Sequence, residues 1–465
     1  MRLAVFTPLP PVRSGIADYA VELLDRLGSR HQIQVYAASR DEVLSWSGRA
    51  SRFTVHDAHE FVWTTHRSAH DRVIFQAGNS WCHDYMWPYL FQYRGLVVLH
   101  DAQLHHARAW SLLRRKRTAD YRAELRFNQP ELPPEAAEPA IHGFAGPLYY
   151  AWPMLRTVFS AAHRVAVHNP SLAGELRTAF PETPVDAIRM GVGQPVASAA
   201  QIAAVRARHD IPPGGIVVAA FGGVSEEKRI VPLLRAVAVA RRYEPGVRAI
   251  LVGPALPHFD AVAIAREMGL ADAVICTGYV PDEEVAAYLG AADIVSCLRW
   301  PSARETSASW LRAIGAGRST IVTDLAQQTD VPTLDPRSWT VLDAAPEKTA
   351  RAPIAVSIDV LDEDHSLTLA LKRLIGDRTL RTRLGAAAQA HWRANHTLEH
   401  MAEDYERLLS APIPSGLATG QASGLPPHLR LDLELRVLLR DDDGAEAPHH
   451  GMRLLVAGVG EEEAR

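Results

Sequence analysis

Short runs of apolar, β-branched residues alternate with longer amphipathic segments along the chain. The runs of the first half cover 2–6, 32–37, 72–76, 95–99 and 164–168. A second series covers 216–221, 248–252, 273–277, 293–298, 319–323 and 338–342. This rhythm is typical of parallel strands joined by crossover helices. We therefore predict an α/β chain with two Rossmann-like, doubly wound parallel sheets, each of about 180 residues.

The stretch IRMGVGQP, within 186–196, interrupts this pattern with glycines and a proline, as a linker does. We place the hinge there, which predicts an N-terminal domain over 1–190 and a second domain over 191–385. The helical pattern of 380–409 predicts helices over 386–411, packing back on the N-terminal domain. Ligands bind at the carboxyl ends of strands in open α/β sheets, so the expected site is a cleft faced by both sheets.

The end of the chain, 412–465, reads as an extension. PIPSGLATGQASGLPP is a linker by composition. Beyond it, LRLDLELRV at 429–437 alternates apolar and polar residues, which predicts a half-buried strand. The turn DDDG and the run MRLLVAGV then predict a hairpin or the start of another small module.

Composition narrows the class of protein. The 465 residues are 47% hydrophobic and 22% charged, as in an ordinary globular protein, and they exceed what one core normally organises. The formal net charge of -4 gives no general attraction to nucleic acid, so we expect no nucleic-acid partner.

Cysteine spacing and the chain start indicate the compartment. Cys82, Cys276 and Cys297 lie far apart, which argues against disulfides and against a zinc site. The start MRLAVFTPLPP leaves no room for the apolar region of a signal peptide. No stretch approaches the roughly 18 apolar residues of a spanning helix. We expect a cytoplasmic protein without bound metal.

A glycine pair after one strand is a candidate phosphate site. Gly222 and Gly223 follow the strand that ends at Phe221, and Lys228 lies in the first turn of the next helix. Glycines let the backbone approach a ligand, and a helix start offers free N–H groups and a positive dipole end. The interpretation is a diphosphate cradle, and the alternative is an ordinary turn with a solvated lysine. The spacing is neither G-x-G-x-x-G nor a P-loop, which disfavours nicotinamide enzymes and NTPases.

One long segment carries a family resemblance. GYVPDEEVAAYLGAADIVSCLRWPSARETSASWLRAIGAGRSTIVTD resembles the C-terminal domain of glycosyltransferase family four. The resemblance also takes in FGGVSEEKR, LVGP, GIADYA and VVLHD, and so covers residue 1 to about 410. It implies a GT-B fold and a nucleotide-diphosphate sugar as donor substrate, with no cofactor.

The resemblance assigns roles at the cradle. Lys228 corresponds to the basic residue that binds the donor diphosphate and replaces a metal ion in charge neutralisation. Gly223 stands where many members carry an arginine, and Arg299 or Arg304 are candidates to replace that contact. Gly15, in the loop TPLPPVRSGIADYA, is a further donor-side candidate, with a simple strand-to-helix turn as the alternative.

The donor loop departs from the family pattern of two glutamates seven residues apart. Arg304 and Arg312 stand at the two positions, and Glu305 comes one step later. The loop resembles a variant built on Arg-Glu-Thr-Ser, in which Thr306 and Ser307 open a helix and offer hydroxyl and N–H groups to the pyrophosphate. The alternative is an ordinary helix cap. Glu305 is the catalytic candidate of this loop.

Two further pairs are assigned through the resemblance. Tyr279 and Val280 match the turn that packs against the nucleotide base, although Tyr279 could equally be a core aromatic. His100 and Asp101 end a strand at the cleft and resemble the acceptor-side pair, in which a histidine transfers a proton and a carboxylate orients it. A structural histidine at a strand end is the alternative.

The function predicted is a retaining, metal-independent glycosyltransferase that uses a carbohydrate or lipid-linked acceptor. A sugar-nucleotide epimerase, a phosphorylase and a degenerate scaffold that binds a nucleotide sugar or a protein partner are the alternatives. The stretch WSLLRRKRTADYRAELR, at 110–126, sets arginines beside aromatics and would suit peripheral contact with an anionic membrane. A solvated helix face is the favoured interpretation of that stretch.

Overall fold

The computed structural model describes residues 1–144, 146, 148–256, 258–325, 331–343, 351–413 and 425–429. They fall into two compact units. Unit 1 contains 1–166, 177–185 and the described residues from 411 onward, and unit 2 contains 167–176 and the described part of 186–410. The predicted boundaries between domains stay predictions.

The first sheet has seven strands in the order β3-β2-β1-β4-β5-β6-β7. Their bounds are β1 Arg2–Phe6, β2 Gln32–Ala37, β3 Phe53–Asp57, β4 Arg72–Ala77, β5 Leu96–Leu99, β6 Arg164–Val167 and β7 Val185–Ala187. The strands from β3 to β5 pair in parallel. Sequence analysis missed β3 and β7, because β3 is half polar and β7 has only three residues and overlaps the predicted hinge.

Helices of the first part of the chain connect these strands. They are α1 Gly15–Leu27, α2 Arg40–Trp46, α3 Phe61–Arg67, α4 Trp87–Tyr93, α5 His105–Arg114, α6 Thr118–Asn128, α7 Glu138–Ile141, α8 Leu148–Ala151, α9 Arg156–Ala161 and α10 Pro170–Ala179. The α1 helix begins where the Ser14 side chain accepts a hydrogen bond from the Ile16 N–H, which is a standard N-cap.

The second sheet has the order β10-β9-β8-β11-β12-β15-β13-β14. Its strands are β8 Val217–Phe221, β9 Arg248–Val252, β10 Val274–Cys276, β11 Ile294–Cys297, β12 Ser319–Thr323, β13 Thr333–Leu334, β14 Val341–Leu342 and β15 Ala355–Ile358. All pair in parallel except β13 with β14. Two Rossmann-like parallel-sheet domains are therefore confirmed.

One predicted strand of this sheet needs correction. The run 338–342 was expected to form a parallel strand, but only Val341 and Leu342 pair, and they pair antiparallel. The preceding residues form a turn, because the Ser338 hydroxyl and the Trp339 N–H both bond to Asp335. The missing parallel strand is β15, a fully buried four-residue run.

The helices of unit 2 cover both faces of the second sheet. They are α11 Ala199–Arg208, α12 Ile230–Ala240, α13 Ala261–Glu267, α14 Asp282–Ala291, α15 Ala308–Gly315, α16 Glu363–Gly376, α17 Arg378–Asn395 and α18 Leu398–Ser410. On one face α12 packs against α16, and their buried leucines (Leu233, Leu234, Leu367, Leu371 and Leu374) form the centre of the core. The predicted helical stretch 380–409 is confirmed, with a break at 396–397. Among the described residues, no helix is long and apolar enough to cross a bilayer.

A short segment near the C-terminus is held on unit 1. Leu425 and Leu429 are buried, and the His428 ring contacts Glu124 (Nε2–Oε1, 2.8 Å) and Asp120 (Nδ1–Oδ1, 3.3 Å) of α6. Residues 427–429 are helical, so the predicted strand does not begin at Leu429. The rest of that strand, the turn DDDG and the run MRLLVAGV lie outside the described residues. We call 425–429 the C-terminal anchor.

Glycine at one helix contact is required by the packing of α17 on α15. A Cβ on Gly385 would overlap the carbonyl oxygen of Gly317, which ends the α15 turn. We expect Gly385→Ala to destabilise unit 2 by about 1–3 kcal/mol, since backbone must shift to admit the methyl group. Thermal unfolding measures the loss. Gly376→Ala is the control, because its Cβ would meet no atom within 4 Å; an equal loss in both variants would contradict the packing argument.

Candidate active site

The turn after β8 brings a lysine ammonium against the backbone. Gly222, which follows Phe221, takes φ +92°, a conformation that residues with a Cβ rarely adopt. The Lys228 ammonium donates a hydrogen bond to the Phe221 carbonyl oxygen. A Cβ on Gly222 would lie 2.6 Å from Lys228 Nζ. Glycine at this position therefore allows the lysine to reach the end of the strand.

An ion pair between Arg229 and Glu363 holds the segment that carries Lys228. Glu226–Lys228 form one turn of 3-10 helix, and Arg229 follows with φ +54° before α12 begins. The Arg229 guanidinium donates to both carboxylate oxygens of Glu363 on α16, at 2.8 Å from Nε and 2.6 Å from Nη2. Such a two-point pair fixes direction as well as distance, so it orients the turn.

The Lys228 ammonium lies in surroundings that disfavour its charge. Burial lowers the pKa of Lys228 to about 8, and the Arg299 guanidinium acts in the same direction, while Cys297 and Glu305 oppose the shift. An anion beside this ammonium would supply the missing negative charge, so Lys228 is a candidate anion-binding group.

The donor loop, 298–307, follows β11 and is closed by a charge pair of its own. The Arg299 N–H donates to the Thr323 hydroxyl at 3.0 Å, which ties the loop to the end of β12. Arg299 Nε and Glu305 Oε1 are 2.6 Å apart, and the Ser302 hydroxyl donates to Glu305 Oε2 at 3.1 Å. Glu305 is thus an ionic and hydrogen-bonding centre of the loop.

Ser307 begins α15 as predicted for a helix start. Its side chain accepts a hydrogen bond from the Trp310 N–H at 3.2 Å, and its hydroxyl lies 3.1 Å from that of Ser309. The Thr306 hydroxyl is engaged differently, since it donates to the His168 carbonyl oxygen at 3.2 Å. Ser307 is therefore an N-cap, and its possible contact with phosphate stays a prediction.

These groups share one small cavity at the carboxyl ends of β8, β11 and β12. Its volume is about 30 Å³, and its lining includes Lys228, Arg299, Glu305, Ser307 and Thr323. This volume matches about one water molecule. A diphosphate fits only after the long side chains of Lys228 and Arg299 rearrange.

Other predicted donor-side residues lie outside this lining. Tyr279 is 55% exposed, and Val280 packs against the core of the second sheet. Tyr279 is therefore not a core aromatic. Arg304 takes φ +62° and forms an ion pair with Glu175, while Arg312 Nη1 lies 3.3 Å from Asp282 Oδ1. Both arginines at the family's glutamate positions thus have carboxylate partners.

The predicted acceptor-side residues form a separate cluster in unit 1. His100 Nε2 bonds the Gln76 side-chain oxygen at 2.7 Å, and the Tyr19 ring meets the imidazole edge to face. Asp101 Oδ2 accepts a hydrogen bond from the Asn79 N–H at 2.7 Å. Gly15 is the first residue of α1, and a Cβ there would meet nothing within 4 Å. Strand ends of β4 and β5 and the start of α1 therefore bring polar groups together.

In the basic stretch 110–126, neighbouring carboxylates offset part of the positive charge. It divides into α5 and α6, and Lys116 in the turn has φ +58°. Three of its arginines pair with carboxylates: Arg115 with Asp84, Arg117 with Asp120, and Arg122 with Glu138. Arg114 stacks over the Trp110 ring. Contact with a membrane stays a prediction.

Comparison with known proteins identifies the domain that holds the lysine site. Residues 215–354 match the family model described as Glycosyl transferases group 1. This segment is a glycosyl transferases group 1 domain. It runs from the start of β8 almost to β15, so the Lys228 turn and the donor loop both lie inside it. The family resemblance drawn from the sequence is confirmed, and the Arg-Glu-Thr-Ser variant of the donor loop stays a prediction.

Solved structures support the same fold over most of the chain. HepE of Anabaena, in complex with UDP and glucose, has a TM-score of 0.59 at 14% identity and covers 88% of this chain and 99% of its own. Sucrose-phosphate synthase from Thermosynechococcus elongatus has a TM-score of 0.59 at 14% identity over 88% and 98% of the two chains. A glycosyltransferase from Rickettsia africae has a TM-score of 0.60 at 11% identity over 88% and 97%. No curated protein matches the sequence.

Sequence reasoning missed several residues of the group 1 domain site. Thr323 holds the Arg299 backbone, Ser302 bonds Glu305, and Cys297 and Ser309 are further residues of the lining. Thr323 could have been found, because it ends the strand next to β11 and parallel strands end at the same edge. The other residues carry no signal beyond their place in the loop.

Proposed function

We propose that this chain transfers a sugar from a nucleotide-diphosphate sugar to a hydroxyl group of a carbohydrate or lipid-linked acceptor. The observation that carries the proposal is the desolvated Lys228 ammonium at the open glycine turn of a group 1 domain. The solved HepE structure with UDP-glucose supports a nucleotide sugar as the donor class.

The chemistry requires that the diphosphate leave with its negative charge stabilised. Lys228 and Arg299 supply two positive side chains within one cavity lining, and the start of α15 adds N–H groups and a positive dipole end. The N–H groups at the start of α15 are fixed by the helix, whereas Lys228 and Arg299 have to turn from their internal partners toward the diphosphate when it binds. We propose that they serve the leaving group without a metal ion and that the anomeric configuration is retained.

Glu305 is the acidic group of the proposed donor site. It already contacts Arg299 and Ser302, so a bound sugar would have to share or replace these contacts. We propose that Glu305 binds donor hydroxyl groups and holds Arg299 toward the diphosphate. For the acceptor hydroxyl we propose His100 and Asp101, the two residues that directly follow β5 in the sequence.

A scaffold that binds nucleotide sugars without turnover is the second candidate. It is favoured by one observation: the arginines at the family's glutamate positions are engaged with Glu175 and Asp282. These two positions therefore provide no carboxylate to bind the ribose hydroxyls. Binding would then depend on Lys228 just as transfer does, so only a turnover assay separates the two functions.

The test is a thermal-shift screen of the full chain against UDP, GDP, ADP and their sugar conjugates without metal. A ligand held only by the folded state stabilises it by about 2.7 kcal/mol at a hundred times its Kd. We expect one nucleotide to raise Tm, and Lys228→Ala to abolish that rise. Lys372→Ala, on the exposed side of α16, is the matched control and should keep the full shift.

The outcomes separate the candidates. A shift that Lys228→Ala removes supports the donor site, and release of free nucleotide on addition of acceptor supports transfer. A shift without any nucleotide release favours the non-catalytic scaffold. The absence of a shift with every nucleotide would overturn both.

Nucleotide binding should weaken as the pH rises above 8. The pKa of Lys228 is about 8 in the free protein, so the ammonium that attracts phosphate is lost above that pH. If only the charged form binds, Kd at pH 9 will be about tenfold higher than at pH 7. Titration calorimetry at constant ionic strength measures this. Lys228→Arg keeps its charge throughout this range, so its Kd should not change with pH; the same pH profile in that variant would exclude Lys228 as its source.

A further inference from the structure

Unit 2 has a second cavity at the opposite edge of its sheet. It has a volume of about 440 Å³ and lies beside the first residues of β11 and β12. The donor site lies at the carboxyl ends of the same two strands. Four residues of strand separate the two edges, a length of roughly 13 Å. The two cavities share no lining residue.

Three arginines line this second cavity: Arg318, Arg378 and Arg381. Within the described residues of unit 2, many other arginines have a carboxylate partner, as Arg206 has Asp293 and Arg229 has Glu363. No carboxylate of the described residues lies within ion-pair distance of the three. Positive charge is therefore concentrated here without a direct ion pair to a described carboxylate.

The one acidic residue in the lining is already engaged. Asp293 Oδ2 accepts hydrogen bonds from Arg206 Nη2 and from the Val217 N–H, at 2.8 and 2.9 Å. The Asp293 carboxylate is thus bonded to Arg206 and to the first residue of β8. The remaining lining is small or neutral and includes Gly317, Ser319, Thr382 and Gly385.

Two of the arginines are held by backbone carbonyls. Arg318 donates from Nε to the Ala316 oxygen at 3.1 Å and from Nη1 to the Gly290 and Ala292 oxygens, at 3.3 and 3.2 Å. Arg381 donates from Nη1 to the Ile375 oxygen at 2.9 Å and to the Leu374 oxygen. Each guanidinium is fixed on one side, and Nη2 makes no hydrogen bond to a described residue. Fixed donors of this kind bind planar oxyanions at a low entropic cost.

Close approach of two glycines shapes the floor of the cavity. Gly317 has φ +68°, and its carbonyl lies against Gly385 of α17. The contact draws the first two turns of α17 beside the start of β12, so Arg378 and Arg381 come near Arg318. Burial lowers the pKa of Arg318, and the neighbouring Arg206 acts in the same direction, while Asp293 opposes the shift.

We propose that this cavity binds a small phosphate-bearing anion, independently of the nucleotide-sugar site. Arg318 and Arg381 donate to the phosphate oxygens from their free Nη2 groups, and Arg378 adds charge at the mouth. The volume lies within the range of small-molecule sites, so the ligand is of the size of a phosphorylated metabolite. Arginine forks suit phosphate because they can donate two parallel hydrogen bonds.

The experiment uses the full chain carrying Lys228→Ala, so that the cradle at Gly222 cannot account for the result. Inorganic pyrophosphate is titrated by calorimetry at constant ionic strength set with chloride. We expect saturable binding of one pyrophosphate per chain. Adding Arg378→Ala should raise Kd about tenfold, because one charged contact at the mouth is lost.

Arg383→Ala is the matched control. Arg383 is an exposed arginine of the same helix and does not line the cavity. It should change Kd less than about twofold, since exposed charges outside a site are screened by salt. Adding Arg381→Ala should weaken binding further than Arg378→Ala alone. A chain that binds no pyrophosphate saturably, or that loses equal affinity with Arg378→Ala and Arg383→Ala, would overturn the proposal. Because Lys228 is absent throughout, failure here leaves the proposed transfer reaction untouched.

Discussion

Replacing Lys228 by methionine will raise Tm and at the same time lower sugar transfer by about a hundredfold to a thousandfold. The two effects have opposite signs because one buried charge causes both. In the free protein the ammonium is desolvated, as its lowered pKa indicates, and this costs stability. In the proposed reaction the same ammonium contacts the diphosphate and stabilises its developing charge.

The stability effect has a defined pH window. The pKa of Lys228 is lowered from an ordinary value of 10.5 to about 8 in the folded chain. Below pH 8 the folded and unfolded forms are both protonated, so the full cost of burying the charge is present. Between about pH 8 and 10.5 the folded form loses its proton first, and the cost is relieved. The gain in Tm from Lys228→Met should therefore be largest below pH 8 and should shrink above it.

The measurements are thermal unfolding and kcat/KM for the nucleotide sugar that the thermal-shift screen selects. Lys372→Met is the control, because Lys372 is an exposed lysine on α16 and should change neither quantity. Loss of transfer together with a lower Tm would mean that Lys228 supports the fold instead of the leaving group. Unchanged transfer would remove Lys228 from the proposed mechanism.

Arg108→Ala should destabilise unit 1 by about 3–5 kcal/mol. Arg108 donates from Nε to Glu124 Oε2 at 2.8 Å and from Nη2 to Oε1, and neither side chain is more than 5% exposed. Removing the arginine leaves the Glu124 carboxylate in the interior without its guanidinium partner, with the His428 ring still at hydrogen-bond distance. A buried charge that has lost its partner costs far more than an exposed pair contributes.

The same pair predicts a loss of stability in acid. Burial opposes ionisation of Glu124, but Arg108 and His428 outweigh it and lower the pKa of Glu124 from 4.5 to about 2. A carboxylate with a lowered pKa in the folded state contributes stability above its unfolded pKa and loses it as the pH falls. The contribution should therefore be complete above about pH 4.5 and should disappear between there and pH 2.

Urea unfolding at pH 7 and at decreasing pH tests both statements. Arg114→Ala is the matched control on the same helix, since Arg114 is exposed and its guanidinium lies over the Trp110 ring. We expect it to change stability by less than about 1 kcal/mol. An equal loss of stability in the two variants would show that any arginine-to-alanine change in α5 has this effect. The ion pair between Arg108 and Glu124 would then not be its cause.

Much of the fold could be predicted from the pattern of residues, because each buried strand needs a continuous apolar run. Val217–Phe221 illustrates this, since it is apolar and fully buried, and so do the four residues that follow Arg248 in Arg248–Val252. The two-residue strand β13 was not predicted, and β14 was predicted only as part of a longer parallel strand, because their pairing depends on a turn around Asp335. Strands this short take their conformation from neighbours and not from their own sequence.

Some residues of the candidate site could likewise be predicted from the sequence, and their contacts could not. Gly222 and Lys228 were predicted because a strand, a glycine and a helix start follow one another within eight residues of chain. The pairing of Arg299 with Glu305 was not predicted, although both had been singled out, since the loop between them has no periodic pattern. The partners of Arg304 and Arg312 come from distant positions, Glu175 and Asp282. Contacts of this kind depend on the path of the chain in three dimensions.

The C-terminal anchor is covalently joined to the unit on which it packs, and this link strengthens its binding. Residue 413 and the anchor at 425–429 are joined by the eleven residues 414–424, and both belong to unit 1. Binding of the anchor is therefore an intramolecular event, at an effective concentration on the millimolar scale for a short connection. Five residues with two buried leucines and one histidine would bind weakly as a free peptide. Attached to the chain, they remain bound at any protein concentration, and a separate copy of the segment will compete only when it, too, approaches millimolar levels.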